Sequence, residues 1–222
     1  MKTFLFTTLL LGFVATTFGD TKSELDDHVH KLMAKFDSLQ ANAKARIPAK
    51  KLNKATGIVI MDRSKGGLVF GYEKGSGVAL VKNQGNWGAF SFMSSHETSF
   101  GVQIGGKSTF CVLLLMNQAA RDRLLQSKMD FGGEAWGVGG SHAAGRKKNF
   151  TKQPGVLVFA ESEGIYGGAI IQGGSVAPDD QANQTYYGQF YSIKDILFDK
   201  KVEPSETATE FARKLQDAAK AE

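Results

Sequence analysis

Leu25, Val29, Leu32, Phe36, Leu39, Ala43 and Ile47 recur every three or four positions, the spacing that places one apolar stripe along a helix. Thr21 and Glu24 stand at capping-box distance at its start and Pro48 stops it, so the pattern predicts a helix over residues 20–47. After Ala55 the pattern turns into short apolar runs cut by Gly, Asn and Ser. Strands are predicted at 57–62, 68–73, 77–82, 87–93, 98–105 and 109–115, with Gly75-Ser76-Gly77 read as a hairpin turn. Their separations are too short for helical crossovers, which makes the neighbours antiparallel. A short helix is predicted over 117–128, with Asn117 as N-cap. A glycine-rich stretch follows at 129–140 and a polar, basic loop at 141–155. Residues 156–162 and 164–176 read as a hairpin around Glu163-Gly164. Short helical pieces at 179–188 and 192–198 lead to a final amphipathic helix over 204–221. That helix carries Ala208, Phe211, Leu215 and Ala218 on one face and Pro204 in its first turn.

Composition sharpens the picture of the middle. Of the 26 glycines, 23 lie between Gly57 and Gly174, and none lies between Asp20 and Thr56. Dense glycine inside strands marks bulges, tight corners and close backbone approaches. The expected fold is α+β: a curved, mainly antiparallel glycine-rich sheet or partly closed barrel, flanked by an N-terminal amphipathic helix, a middle helix and C-terminal helices. Met1-Lys2 followed by apolar residues from Phe4 to Ala15 and small residues near Gly19 reads as a cleavable signal peptide, which implies export. The expected divisions are 1–19 leader, 20–48 helix, 49–188 β-rich domain and 189–222 helical extension. Cys111, the only cysteine, lies in an apolar run, so it is expected as a small buried hydrophobe.

Charge singles out the front of the chain. Lys31, Lys35, Lys44, Arg46, Lys50, Lys51 and Lys54 face one acid, Asp37, giving a net +6 within 24 residues of a chain whose total is +5. Two readings stay open. The stripe packs on the domain core with the charges solvated, or it lies in the acyl boundary of an anionic membrane with the cations at the headgroups. The loop cations Arg146, Lys147 and Lys148, with Phe150 among them, offer a second basic surface.

Candidate catalytic chemistry is sparse. Gly140 and Gly145 have P-loop spacing, but Arg146 stands where that loop requires Lys, Lys147 replaces Ser or Thr, and no helix follows. No serine lies in a Gly-x-Ser-x-Gly elbow, and His28, His30, His96 and His142 are scattered without metal-ligand spacing. The expectation is therefore no enzyme, no metal and no cofactor. Nucleic acid would use the same cations, but the leader sets it aside as a ligand. Asn149-Phe-Thr151 and Asn183-Gln-Thr185 are glycosylation sequons.

The runs 66-GGLVFGYEKGSGVALVKNQGNWGAFSFM-93, 101-GVQIGG-106, 112-VLLLMNQAARDRLL-125, 164-GIYGGAIIQGGSV-176 and 183-NQTYYG-188 together resemble the SYLF domain, over roughly residues 49–188. The resemblance implies a non-enzymatic lipid-binding module for phosphoinositides and other acidic phospholipids, with actin binding in some fungal members. By position it assigns membrane contact to the helix ending near Ile47 and to Lys44, Arg46, Lys50, Lys51 and Lys54. The expected partner is an anionic phospholipid surface. The alternatives are a protein-interaction scaffold or a carrier of a small apolar ligand.

Overall fold

The computed structural model describes residues 20–43, 45–67, 70–100, 107–131, 136–138, 155–162 and 174–220. The first helix, α1 (Lys22–Ala41), opens with the predicted capping box: Glu24 N–H donates to the Thr21 hydroxyl, and Thr21 N–H donates to the Glu24 carboxylate at 2.7 Å. These Thr21 bonds hold the Glu24 carboxyl below its ordinary range. The helix stops six residues earlier than its stripe suggests. Asn42 turns extended, and the Gln40 side chain takes both the N–H and the carbonyl of Ile47, folding the chain back so that Ile47 is buried off the helix. A short helix, α2 (Ala49–Lys54), follows.

Four strands form the centre: β1 (Gly57–Gly67), β2 (Phe70–Asn83), β3 (Asn86–Phe100) and β4 (Lys107–Leu115). All are antiparallel neighbours, in the spatial order β3-β2-β1-β4. Residues 70–73 of the expected segment 68–73 and the segment 77–82 lie in one strand, residues 68–69 being outside the described residues, so Gly75-Ser76-Gly77 is no turn. Gly77 lies so close to β1 that a Cβ there would stand 2.0 Å from the Ile60 carbonyl oxygen. The glycine permits strand contact at this point rather than a reversal. Residues 87–93 and 98–100 likewise share one strand, and residues 101–105 of the expected segment lie outside the described residues. The reversal between β2 and β3 falls at Gln84-Gly85, both with positive φ (52° and 84°), the geometry of a type I′ hairpin.

After β4 come α3 (Gln118–Asp122), a 3₁₀ turn over Arg123–Leu125, β5 (Met129–Phe131), β6 (Trp136–Val138), β7 (Val156–Ser162) and β8 (Gly174–Pro178). Among the described residues the order is β5-β8-β3-β2-β1-β4-β7-β6, antiparallel except for β6 beside β7. Of the hairpin expected from 156–162 and 164–176, the described end pairs elsewhere: β8 lies between β3 and β5, while β7 pairs with β4. The chain closes with α4 (Asp180–Tyr187), α5 (Ile193–Leu197) and α6 (Glu206–Lys220). Pro204 precedes α6, whose Ala208 N–H donates to the Ser205 hydroxyl.

Both faces of the sheet are covered, which alternation along the strands makes possible. Ile58, Ile60, Val78, Leu80, Val112 and Leu114 join α1, α2, α4 and α6 in one core. Val59, Met61, Ala79, Val81, Cys111 and Leu113 join α3, α5, β5 and β8 in a second. The sheet is curled. Arg63 of β1 stacks 4.9 Å from the Phe131 ring of β5, although four strand spacings in a flat sheet would put them roughly 19 Å apart. Cys111 is buried as expected.

Candidate functional site: the basic helical edge

The site predicted from charge is divided by the structure. The α1 stripe faces the sheet: Leu25, Val29, Leu32, Met33, Phe36 and Leu39 are all at most 4% exposed, and Phe36 meets Phe211 of α6 edge-on at 6.4 Å. Polar contacts hold the helix in the same seat. Asp26 accepts from the Tyr186 hydroxyl and from Thr207, both at 2.7 Å. Burial pushes the Tyr186 hydroxyl up to about 12, with the neighbouring Asp26 adding to the shift and the Ser205 and Thr207 contacts opposing it. Lys214 reaches Asp37 at 2.6 Å and His30 faces Glu210 at 3.8 Å. These contacts climb α1 and α6 together, so the two helices run in the same direction.

Lys31 and Lys35 lie on the exposed side of α1. Lys35 is not free charge, because its ammonium sits 2.7 Å from both oxygens of the Asp62 carboxylate on β1. His28, inward of them, has its ring nitrogen Nε2 buried without a hydrogen-bond partner, and burial lowers its pKa. Arg46 projects between the buried Ala45 and Ile47. On α2 the exposed Lys50, Lys51 and Lys54 surround one buried residue, Leu52, with Lys50 and Lys54 a turn apart on the same side. Arg46, Lys50, Lys51 and Lys54 make no ion pair with any described residue. Lys44, Arg146, Lys147 and Lys148 lie outside the described residues.

A six-residue helix carrying three lysines and no side-chain N-cap is weak on its own. Lys82 of β2, which sequence reasoning passed over, holds it. Its ammonium donates to the carbonyls of Leu52 and Asn53 at 3.1 and 2.8 Å and lies 4.7 Å over the Trp87 ring. A cation at the carbonyl end of a helix offsets the partial negative charge there, and burial lowers the Lys82 pKa. Nothing local in the sequence signals this role, because the accepting carbonyls lie about 30 residues upstream.

The second sequon residue is also placed. Asn183 is fully buried: its amide accepts from Phe92 N–H at 2.8 Å and donates to the Ser91 hydroxyl and the Phe92 carbonyl, pinning α4 to β3. In the folded state that nitrogen is out of reach of a glycosylating enzyme. Asn149 lies outside the described residues. No cluster of three or more His, Cys, Asp or Glu that could hold a metal occurs among the described residues.

The edge thus offers cations on a seated scaffold, able to hold anionic groups by charge. A family model, Ysc84, described as "Las17-binding protein actin regulator", matches residues 96–218, more than half of the chain. The chain belongs to the Ysc84 family. This bears out the SYLF resemblance. The Ysc84 match begins after α1 and α2 and runs through most of α6, so the basic edge stands outside it. Similar proteins include LAS seventeen-binding protein 3 of Saccharomyces cerevisiae, 27% identical over 161 residues (68% of this chain, 34% of that protein). Protein YSC84 of the same yeast is 27% identical over 166 residues (72% and 36%). Human SH3 domain-containing YSC84-like protein 1 is 24% identical over 164 residues (72% and 48%). The chain spans about a third to a half of the length of these relatives.

Proposed function

We propose that this Ysc84-family chain is a non-enzymatic binding module that docks on anionic phospholipid by charge, through Arg46, Lys50, Lys51 and Lys54. One observation carries the reading: these four cations are exposed and without ion-pair partners among the described residues, Lys50, Lys51 and Lys54 on the helix seated by Leu52 and Lys82 and Arg46 on the link just before it. The burial of the α1 stripe shapes the mode of contact. Lifting six buried apolar side chains out of the core costs on the order of 10 kcal/mol, so α1 stays docked while the cations meet the headgroups. Vesicle flotation tests the reading. The expected result is binding to acidic but not neutral vesicles, weakened by salt and abolished when the four cations become alanine. Equal binding to neutral vesicles, or full binding by the alanine variant, would refute it. The leader-like residues 1–19 support action in an exported compartment, which sequencing the N-terminus of the mature protein checks.

A second reading is favoured by the relatives' names. LAS seventeen-binding protein 3 and the family description point to protein partners, and the same cations suit an acidic protein surface. Co-sedimentation with actin filaments and capture by immobilised Las17 distinguish it from the phospholipid reading.

A further inference from the structure

The segment between α4 and α5 displays one aromatic and hides its neighbours. Tyr186 is buried, the Tyr187 hydroxyl donates to the Phe90 carbonyl, and the Tyr191 ring packs edge-on to Tyr187 at 6.2 Å. Phe190, between them, is 60% exposed, more than any other large hydrophobic among the described residues. It is not on a loose loop. Gly188, with φ 75°, ends α4 in a left-handed cap, and Ser192 opens α5 with a capping box to Asp195 two residues beyond Phe190. The caps on either side hold the backbone that carries Phe190 between two ordered helices, and the ring is left mostly in solvent.

Phe190 has a defined place in the fold. Along α4, Asn183 contacts Phe92 and Tyr187 contacts Phe90, so the helix descends β3 toward the Gln84-Gly85 reversal. Phe190 lies past its end. The carbonyl end of α2 is held by Lys82, which pairs with Trp87 at the same reversal, and Asn83 donates to the Leu197 carbonyl at the end of α5. The exposed Phe190 and the lysines of α2 therefore share one end of the sheet. The charges beside it on α5 and just after it balance: Lys194 pairs with Asp199 and Lys201 with Asp195, each at 2.6 Å, leaving Lys200 exposed.

We propose that Phe190 is the apolar anchor of this end, entering the acyl boundary of an anionic phospholipid bilayer while the α2 cations hold the headgroups. An exposed aromatic ring at the same end of the sheet as unpaired lysines is the composition of an interfacial contact. This rests on the phospholipid reading above, and the experiment separates the two. Phe190→Trp in the otherwise unchanged protein is titrated with acidic vesicles, with and without brominated acyl chains, against the wild type as background for Trp87 and Trp136. The expected result is a blue shift and bromine quenching of the added tryptophan on binding. Phe190→Ser is expected to bind acidic vesicles about tenfold more weakly, with an unchanged thermal midpoint. Wild-type binding without quenching of the added tryptophan, or equal affinity for Phe190→Ser, overturns the anchor and leaves the charge reading standing. Absence of vesicle binding by the wild type overturns both.

Discussion

Two helices follow one another at the front of this chain, each carrying three lysines, and the structure uses them in opposite ways. The 20-residue α1 has its own capping box and six buried apolar side chains, and Lys35 is already committed to Asp62. The six-residue α2 has no side-chain cap and one buried residue, and its three lysines make no ion pair with any described residue. The longer helix is architecture that happens to be charged; the shorter is a charge carrier that the architecture must hold. Charge density in a sequence therefore does not locate a contact surface until the partners of each cation are known.

The comparison breaks most readily at α1. Phe36→Ala is expected to lower stability by about 4 kcal/mol, read as a fall in denaturant midpoint, because it empties the contact with Phe211 beneath a fully covered stripe. Replacing Lys82 with alanine comes next, at about 2 kcal/mol. Its particular signature is faster amide exchange in α2 than in α1, since only α2 loses the cation bound to its carbonyls. Tyr186→Phe is expected to cost about 1 kcal/mol at neutral pH, measured by thermal melting. This change also tests a pH limit. The Tyr186 hydroxyl rises from 10.0 to about 12 on folding, so the folded state favours the protonated form. The stabilisation it brings is complete below pH 10 and is lost as pH climbs from 10 toward 12. The phenylalanine variant should lack that component of alkaline unfolding. Smallest of all, alanine at Lys50, Lys51 and Lys54 is expected to change stability by less than about 0.5 kcal/mol, as scanning calorimetry would show. A large loss there would mean the α2 lysines are architecture after all.

Much of this was legible in the residues. The capping box at Thr21 and Glu24, the N-cap at Asn117, the antiparallel glycine-rich sheet and the C-terminal helices all follow from local pattern, and the structure contains them. Strand limits were not legible, because a glycine that opens a turn and one that admits a neighbouring backbone look the same in sequence. Gly77 is the second kind, and only the Ile60 carbonyl beside it reveals that. The stripe on α1 was plain, but whether it faced a core or a membrane depended on residues such as Phe211, 175 positions later. Asn183 read as a modification signal and proved to be the amide that seats α4. Lys82 carried no signal at all.

The joining of α1 to α6 can finally be viewed as a matter of time. Asp26 meets Thr207 across 181 residues of chain, and Asp37 meets Lys214 across 177. At a synthesis rate of about 5–20 residues per second, α1 waits on the order of ten seconds before its partner helix exists. Throughout that interval one side of its apolar stripe has nothing to pack against. The nascent chain thus carries, early and for long, a surface that chaperones recognise and that neighbouring copies can stick to. Loss of the C-terminal helix would make that passing exposure permanent.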